Sequence, residues 1–215
     1  LFALAALLLC SCGIIRETAL KNDDSSLWTF GRDLSFFSKY GIETLVLSND
    51  NSFVAVSPAL QARVMTSTYG GADGPSIGWI NRVQLAFKND PADRAQVGGE
   101  DRFWVGPQGG DFSLFFKGGA ARTSENWQIP PFMSTEPWTL VAKTQSRAKF
   151  EKTAEFENDK GAKFKIKAER EISVLSRKHV SDILGIEIPS QVEIAAFQSF
   201  NKLTNAGDKK WTPDS

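Results

Sequence analysis

The sequence predicts an all-β fold of long antiparallel strands with large loops at one end. Three observations carry that prediction. In "WTLVAKTQSRAKFEKTAEFEN" and "GAKFKIKAEREISVLS" apolar side chains alternate with charged ones. Phe164, Ile166, Ala168, Ile172 and Val174 fall on one face, and Lys163, Lys165, Lys167, Glu169 and Glu171 on the other, the period-two signature of a strand with one wet face. "ENDKGA" between the two stretches supplies a hairpin turn. Upstream, short runs rich in branched residues are separated by turn-forming clusters. Strands that alternate this strongly need a second sheet to bury their apolar face, so a sandwich follows.

The elements follow in chain order. "LFALAALLLCSCG" is an uncharged apolar run, too short to span a bilayer, that fits the core of a signal segment. Cys12 has Ser11 before it and resembles the acylated cysteine of a lipobox better than Cys10, which follows the bulky Leu9. The alternative is a piece of buried apolar helix. Residues 1–12 are thus expected to be a lipoprotein signal, 13–26 a tether, and 27–215 the folded domain. "LWTFGRDLSFFSKYG" (27–41) is ambiguous; as a short helix it would be capped by Asp33, carry Leu34, Phe37 and Tyr40, and end at Gly41. Strands are expected over 42–48, 52–57 and 60–69. Residues 70–111 are rich in Gly, Pro and Asn-Asp punctuation, "FSLFF" (112–116) has the composition of a buried strand, and 117–137 form a long excursion. After the alternating pair, "SRKHVSDILG" is consistent with a brief helix and "VEIAAFQSFNKL" (192–203) with another strand. The chain stops at the turn-like "NAGDKKWTPDS" without an evident closing strand, so the domain is expected to be the N-terminal part of a longer one.

Composition excludes several classes. Lys plus Arg and Asp plus Glu are 25 each in 215 residues, so no global field draws the chain to nucleic acid. The single His179 lies in a basic segment, and both cysteines sit in the leader, which leaves no thiolate metal site or disulfide in the body. Neither a nucleophile elbow nor a phosphate-binding glycine loop is present, and no cofactor or metal is expected.

The chemistry-bearing residues concentrate around "GGEDRFWVGPQGG" (98–110). In an extended segment Glu100 and Asp101 point to opposite sides and cannot act as a paired dyad. Glu100, Arg102 and Trp104 share one side: a carboxylate, a guanidinium and an indole, groups that hydrogen-bond sugar hydroxyls and stack on the ring. The competing account is that Arg102 pairs with Glu100 to brace a glycine-rich corner while Trp104 fills the core. Arg170 falls on the apolar face of its strand and needs either a carboxylate such as Glu100 or Asp101, or a ligand. Lys152 shares an apolar register but can snorkel. Arg63, in register with Gln61 and Met65, and Trp79, Asn81 and Arg82 of "GWINR" are further candidates for the same mouth.

The order "SPALQARVMTSTYGG", "GWINR", "GGEDRFWVGPQGG", "TEPW" and "EREISVL" resembles the galactose mutarotase-like superfamily, and within it a family of uncharacterised secreted bacterial proteins. The resemblance covers roughly residues 30–205. It implies a β-supersandwich with a carbohydrate cleft on a concave face, and it supports Glu100, Arg102, Trp104 and Arg170 as cleft residues. Mutarotases use a His acid and a Glu base. His179 is not in a recognisable copy of that motif, and the Glu base of such enzymes comes late in the domain, so the cleft carries over and the catalysis does not. The expectation is a carbohydrate-binding or carbohydrate-processing protein held outside the cytoplasm by lipid on Cys12. The alternatives are a non-catalytic surface lipoprotein, and an accessory module of a polysaccharide lyase using Arg102 and Arg170 on a uronate.

Overall fold

The computed structural model describes residues 28–87 and 98–212. The expected signal segment, with Cys12, and the expected tether lie outside the described residues. The elements run α1 (Phe30–Lys39), β1 (Leu45–Asn49), β2 (Ser52–Ser57), β3 (Arg63–Tyr69), α2 (Arg82–Phe87), β4 (Thr139–Lys143), β5 (Arg147–Glu157), β6 (Lys163–Val174), α3 (Arg177–Leu184) and β7 (Phe197–Asn205). They build two antiparallel sheets, β1-β2-β3 and β4-β5-β6-β7, so the all-β sandwich expected from the alternation is what forms.

The β5–β6 hairpin is the backbone of the larger sheet, paired in register from Glu157↔Lys163 to Arg147↔Ser173. Its wet face carries cross-strand ion pairs, Lys149–Glu169 at 2.9 Å and Lys167–Glu151 at 3.1 Å, which are solvated and contribute little to stability. Its dry face, with Ala148, Phe150, Ile166, Ala168, Ile172 and Val174, packs against Leu47, Val54, Val56 and Val64 of the smaller sheet. Lys152 shares this register and snorkels to Glu136, 2.7 Å away.

The smaller sheet has a second cover. Phe36 and Phe37 of α1 join Trp28, Ile42, Met65, Ile80 and Leu85 in a separate apolar cluster. With both faces occupied, β2 and β3 are buried almost throughout and lack the alternation that marks β5 and β6.

Several boundaries differ from the sequence reading. Thr29, not Asp33, caps α1: its hydroxyl accepts from Arg32 N at 3.3 Å. Asp33 lies in the first turn, fully buried, where Arg82 donates to it at 2.6 Å. β3 starts only at Arg63, because Gln61 and Ala62 take positive φ values of 61° and 51°. Residues 112–116 are not a strand: the Ser113 hydroxyl donates to Gln108 O at 2.8 Å and accepts from Phe115 N at 3.1 Å, closing a turn. α3 does form, capped by Ser176 and closed by Gly185 at φ 67°, and it leaves His179 exposed. β7 begins at Phe197 rather than at 192.

Candidate functional site

The segment that begins at Gly98 extends the free edge of β3. Glu100 N donates to Val64 O at 2.8 Å, and Val64 N donates to Asp101 O at 2.9 Å. Such an approach demands glycine at position 99. Its φ is +93°, and a Cβ there would stand 2.8 Å from both Val64 O and Arg63 Cδ.

From this edge the charged triplet diverges. The Glu100 carboxylate accepts from Ser67 N at 2.6 Å and from the Ser67 hydroxyl at 2.9 and 3.0 Å. Burial raises its pKa above the ordinary value, and the Ser67 bonds oppose that rise. Asp101 turns toward the larger sheet and pairs with Arg170. Arg102 donates to Met133 O at 2.7 Å, and its guanidinium lies 4.3 Å from the centre of the Trp104 ring. Burial pushes its pKa down to about 10.

Arg63 is 1 % exposed; it donates to Gly98 O at 3.1 Å and to Gln61 Oε1 at 2.9 Å. Burial, and secondarily the neighbouring Arg102 charge, lower its pKa to about 9, so it stays cationic at neutral pH. Arg170 is fully buried and donates to Ala62 O at 3.0 Å, to Asn201 Oδ1 at 2.8 Å and to Asp101. Its burial acts to lower the pKa while Asp101 acts to raise it, and the net shift is downward.

The structure therefore gathers Arg63, Glu100, Arg102 and Arg170 around the β3 edge, with each side chain holding protein groups. Trp104 packs on Phe115, ring centres 5.2 Å apart, and Phe103 enters the main core. Trp79 and Asn81 adjoin the same segment through the main chain, Gly99 N donating to Trp79 O at 2.8 Å. Trp79 is 62 % exposed, and Asn81 holds the start of α2 by accepting from Gln84 N at 3.1 Å. Arg82 braces Asp33 and stacks on Trp28 at 3.7 Å.

Open space lies at the other end of the larger sheet. A cleft of about 570 Å³ is lined by Phe156 and Phe164 together with Glu155, Glu157, Lys163, Lys165, Asn205, Asp208, Lys209 and Trp211. A second, of about 520 Å³, runs between Phe156 and the 114–118 and 128–131 segments. A third, of about 200 Å³, lies on the inner face between Val105-Gly106-Pro107, Phe112, Phe164, Ile166, Leu203 and Trp211. Phe156 borders all three, so they adjoin in one groove across the hairpin end. Glu100, Arg102, Trp104, Arg170, Arg63, Trp79 and Asn81 line none of the three; the Gly-rich segment reaches the groove only through its far end, 105–107.

Sequence reasoning missed this groove because Trp211 sits in a segment with no periodicity. The nearest signal was the trio Phe156, Phe164 and Trp211, aromatic residues at the ends of strands and in the tail. Their rings pair in space, Phe156 to Phe164 at 5.3 Å and Phe164 to Trp211 at 6.3 Å.

Among the described residues, no group of three or more His, Cys, Asp or Glu side chains is placed to hold a metal ion, and no helix is long and apolar enough to cross a membrane. No curated protein and no solved structure gives a significant match to the chain. One family model covers nearly the whole folded body, residues 28–215, and by that match the chain belongs to the family of unknown function DUF6786.

Proposed function

We propose that the protein binds a carbohydrate in the groove at the hairpin end of the larger sheet. One observation carries this: Trp211, 41 % exposed, stands over the shared aromatic floor, with Glu155, Asn205, Asp208 and Lys209 around it. An exposed indole packs on the C–H face of a sugar ring, and flanking carboxylate, amide and ammonium groups hydrogen-bond the hydroxyls. The opposite charges on the rim balance, which favours a neutral ligand over a polyanion. The sugar-facing platform thereby moves from Glu100, Arg102 and Trp104 to the far end of the sheet.

Two facing antiparallel sheets support the mutarotase-like reading of the fold. The leader ending at Cys12 supports attachment of this domain to a bacterial membrane by lipid, outside the cytoplasm. A second reading draws on the hydrogen bonds of the Gly-rich segment. Glu100, Asp101 and Arg102 each tie it to another part of the fold, as a purely structural surface lipoprotein would require.

Titration calorimetry with galactose, glucose, maltohexaose and cellohexaose separates the two. The binding reading expects saturable heat with at least one sugar, and an affinity about tenfold weaker in Trp211→Ala with its melting temperature unchanged. Absence of saturation with all four sugars sinks it in favour of the structural one.

A further inference from the structure

We infer that Asp101 and Asn201, fixed side by side on the buried Arg170, form a hydroxyl-binding pair at the inner end of the groove. The inference rests on the carbohydrate reading above and names the polar contact that reading lacks.

Arg170 projects from the inner face of β6 and is fully buried. A guanidinium has donors and no acceptor, so any amide that meets it must offer its oxygen. Asn201, directly across the ladder on β7, does so at 2.8 Å. Its orientation is therefore forced, and the Nδ2 group faces the other way. Asp101 commits Oδ2 to the same guanidinium, which leaves Oδ1. Asn201 is exposed and Asp101 keeps 30 % of its side chain in solvent. Among the described residues, no other side-chain hydrogen bond engages Asn201 Nδ2 or Asp101 Oδ1. One donor and one charged acceptor thus meet solvent beside each other, both anchored to a cation that cannot move.

Their place in the fold ties them to the groove. Leu203 lines the apolar cleft, and Asn201 precedes it by two residues on the same face of β7, about 7 Å along the strand. Val105, on the opposite wall, belongs to the segment that carries Asp101. A sugar hydroxyl both donates and accepts: it would donate to Asp101 Oδ1 and accept from Asn201 Nδ2, alone or with its vicinal neighbour. The ligand class is a polyol whose ring lies on the aromatic floor and whose hydroxyls reach this pair. Arg170 is then a positioning residue that touches no ligand.

Asn201→Asp is the discriminating variant. A carboxylate still accepts from Arg170, so the clamp survives, but the donor toward the ligand is gone. We expect the melting temperature to hold or rise, and affinity to fall about tenfold for whichever of galactose, glucose, maltohexaose and cellohexaose saturates the wild type. Should Asn201→Asp not fold, Asn201→Ala at this exposed edge position takes its place with the same expected loss. Unchanged affinity in the folded variant, alongside a loss in Trp211→Ala, overturns the pair and leaves the groove standing. Failure of all four sugars to saturate the wild type overturns both.

Discussion

Arg170 and Asp101 form an ion pair whose two ends live in different solvents: the guanidinium is fully buried, while the carboxylate retains 30 % exposure. The pair ties the inner face of β6 to the segment that edges β3, and so links the two sheets. The asymmetry has a consequence for stability. Removing Asp101 strands a buried cation, which costs about 3–5 kcal/mol. Removing the cation lets Asp101 turn to water, and the main loss is the donor to Ala62 O, about 1–3 kcal/mol. Urea unfolding should therefore rank Asp101→Ala as more damaging than Arg170→Met. The reverse order would mean that Asp101 is not accessible enough to be rehydrated.

Glu100 makes stability depend on pH in the less common direction. Its folded-state pKa lies above the ordinary 4.5 because burial disfavours the carboxylate, so the native state holds its proton where the unfolded chain has released it. Stability from this group is fully present below the unfolded pKa and is lost as pH rises through the folded one. Glu100→Gln keeps an oxygen to accept from Ser67 N and removes the titration. The stability of wild type relative to Glu100→Gln should fall as pH rises above 4.5, measured by thermal melts across a pH series. A flat difference would show that the Ser67 bonds fully offset burial.

How much of this was legible depended on whether a residue's signal was local. The β5–β6 hairpin announced itself because one face is wet and the other dry, so Phe164 to Val174 alternate without a break. Arg170 stood out for the same reason, and Asp101 was one of two partners named for it. The divergence of Glu100 from Asp101 followed from strand geometry alone, and the two carboxylates are indeed held by different partners, Ser67 and Arg170. By contrast, the contact of Asp33 with Arg82 spans 49 residues and joins α1 to the first residue of α2, which no periodicity encodes. The run at 112–116 misled because apolar content without alternation does not distinguish a strand from a turn that drops one Phe115 into the core. The groove was invisible because it is made by segments far apart in sequence: a hairpin end, the stretch around Trp211 and the far end of a loop.

Two glycines of the same segment should respond oppositely to a methyl group. Gly99→Ala forces a Cβ to 2.8 Å from Val64 O at a φ of +93°, and costs about 2 kcal/mol or more. At Gly109 a Cβ meets nothing within 4 Å and φ is not positive, so Gly109→Ala leaves stability unchanged or raises it by about 0.5 kcal/mol. Paired chemical denaturation of the two variants checks this. Equal effects would mean that the edge pairing with β3 is dispensable.

Trp104 tests whether the Gly-rich segment braces the fold or contacts a ligand. Its ring packs on Phe115 and carries the Arg102 guanidinium at 4.3 Å, and its indole N–H is buried with no acceptor among the described residues. An unsatisfied buried donor costs about 1–3 kcal/mol, so an aromatic without it should be tolerated. Trp104→Phe is therefore expected to stay within about 1 kcal/mol of the wild type, the smaller ring offsetting the removed N–H. Trp104→Ala empties the space between Phe115 and Arg102 and costs about 3–4 kcal/mol. Neither change should alter sugar affinity in protein that remains folded, because the ring stands outside the groove. A Trp104→Phe variant of unchanged stability that loses sugar binding would return the platform to Glu100, Arg102 and Trp104, where the alternation of the sequence first put it.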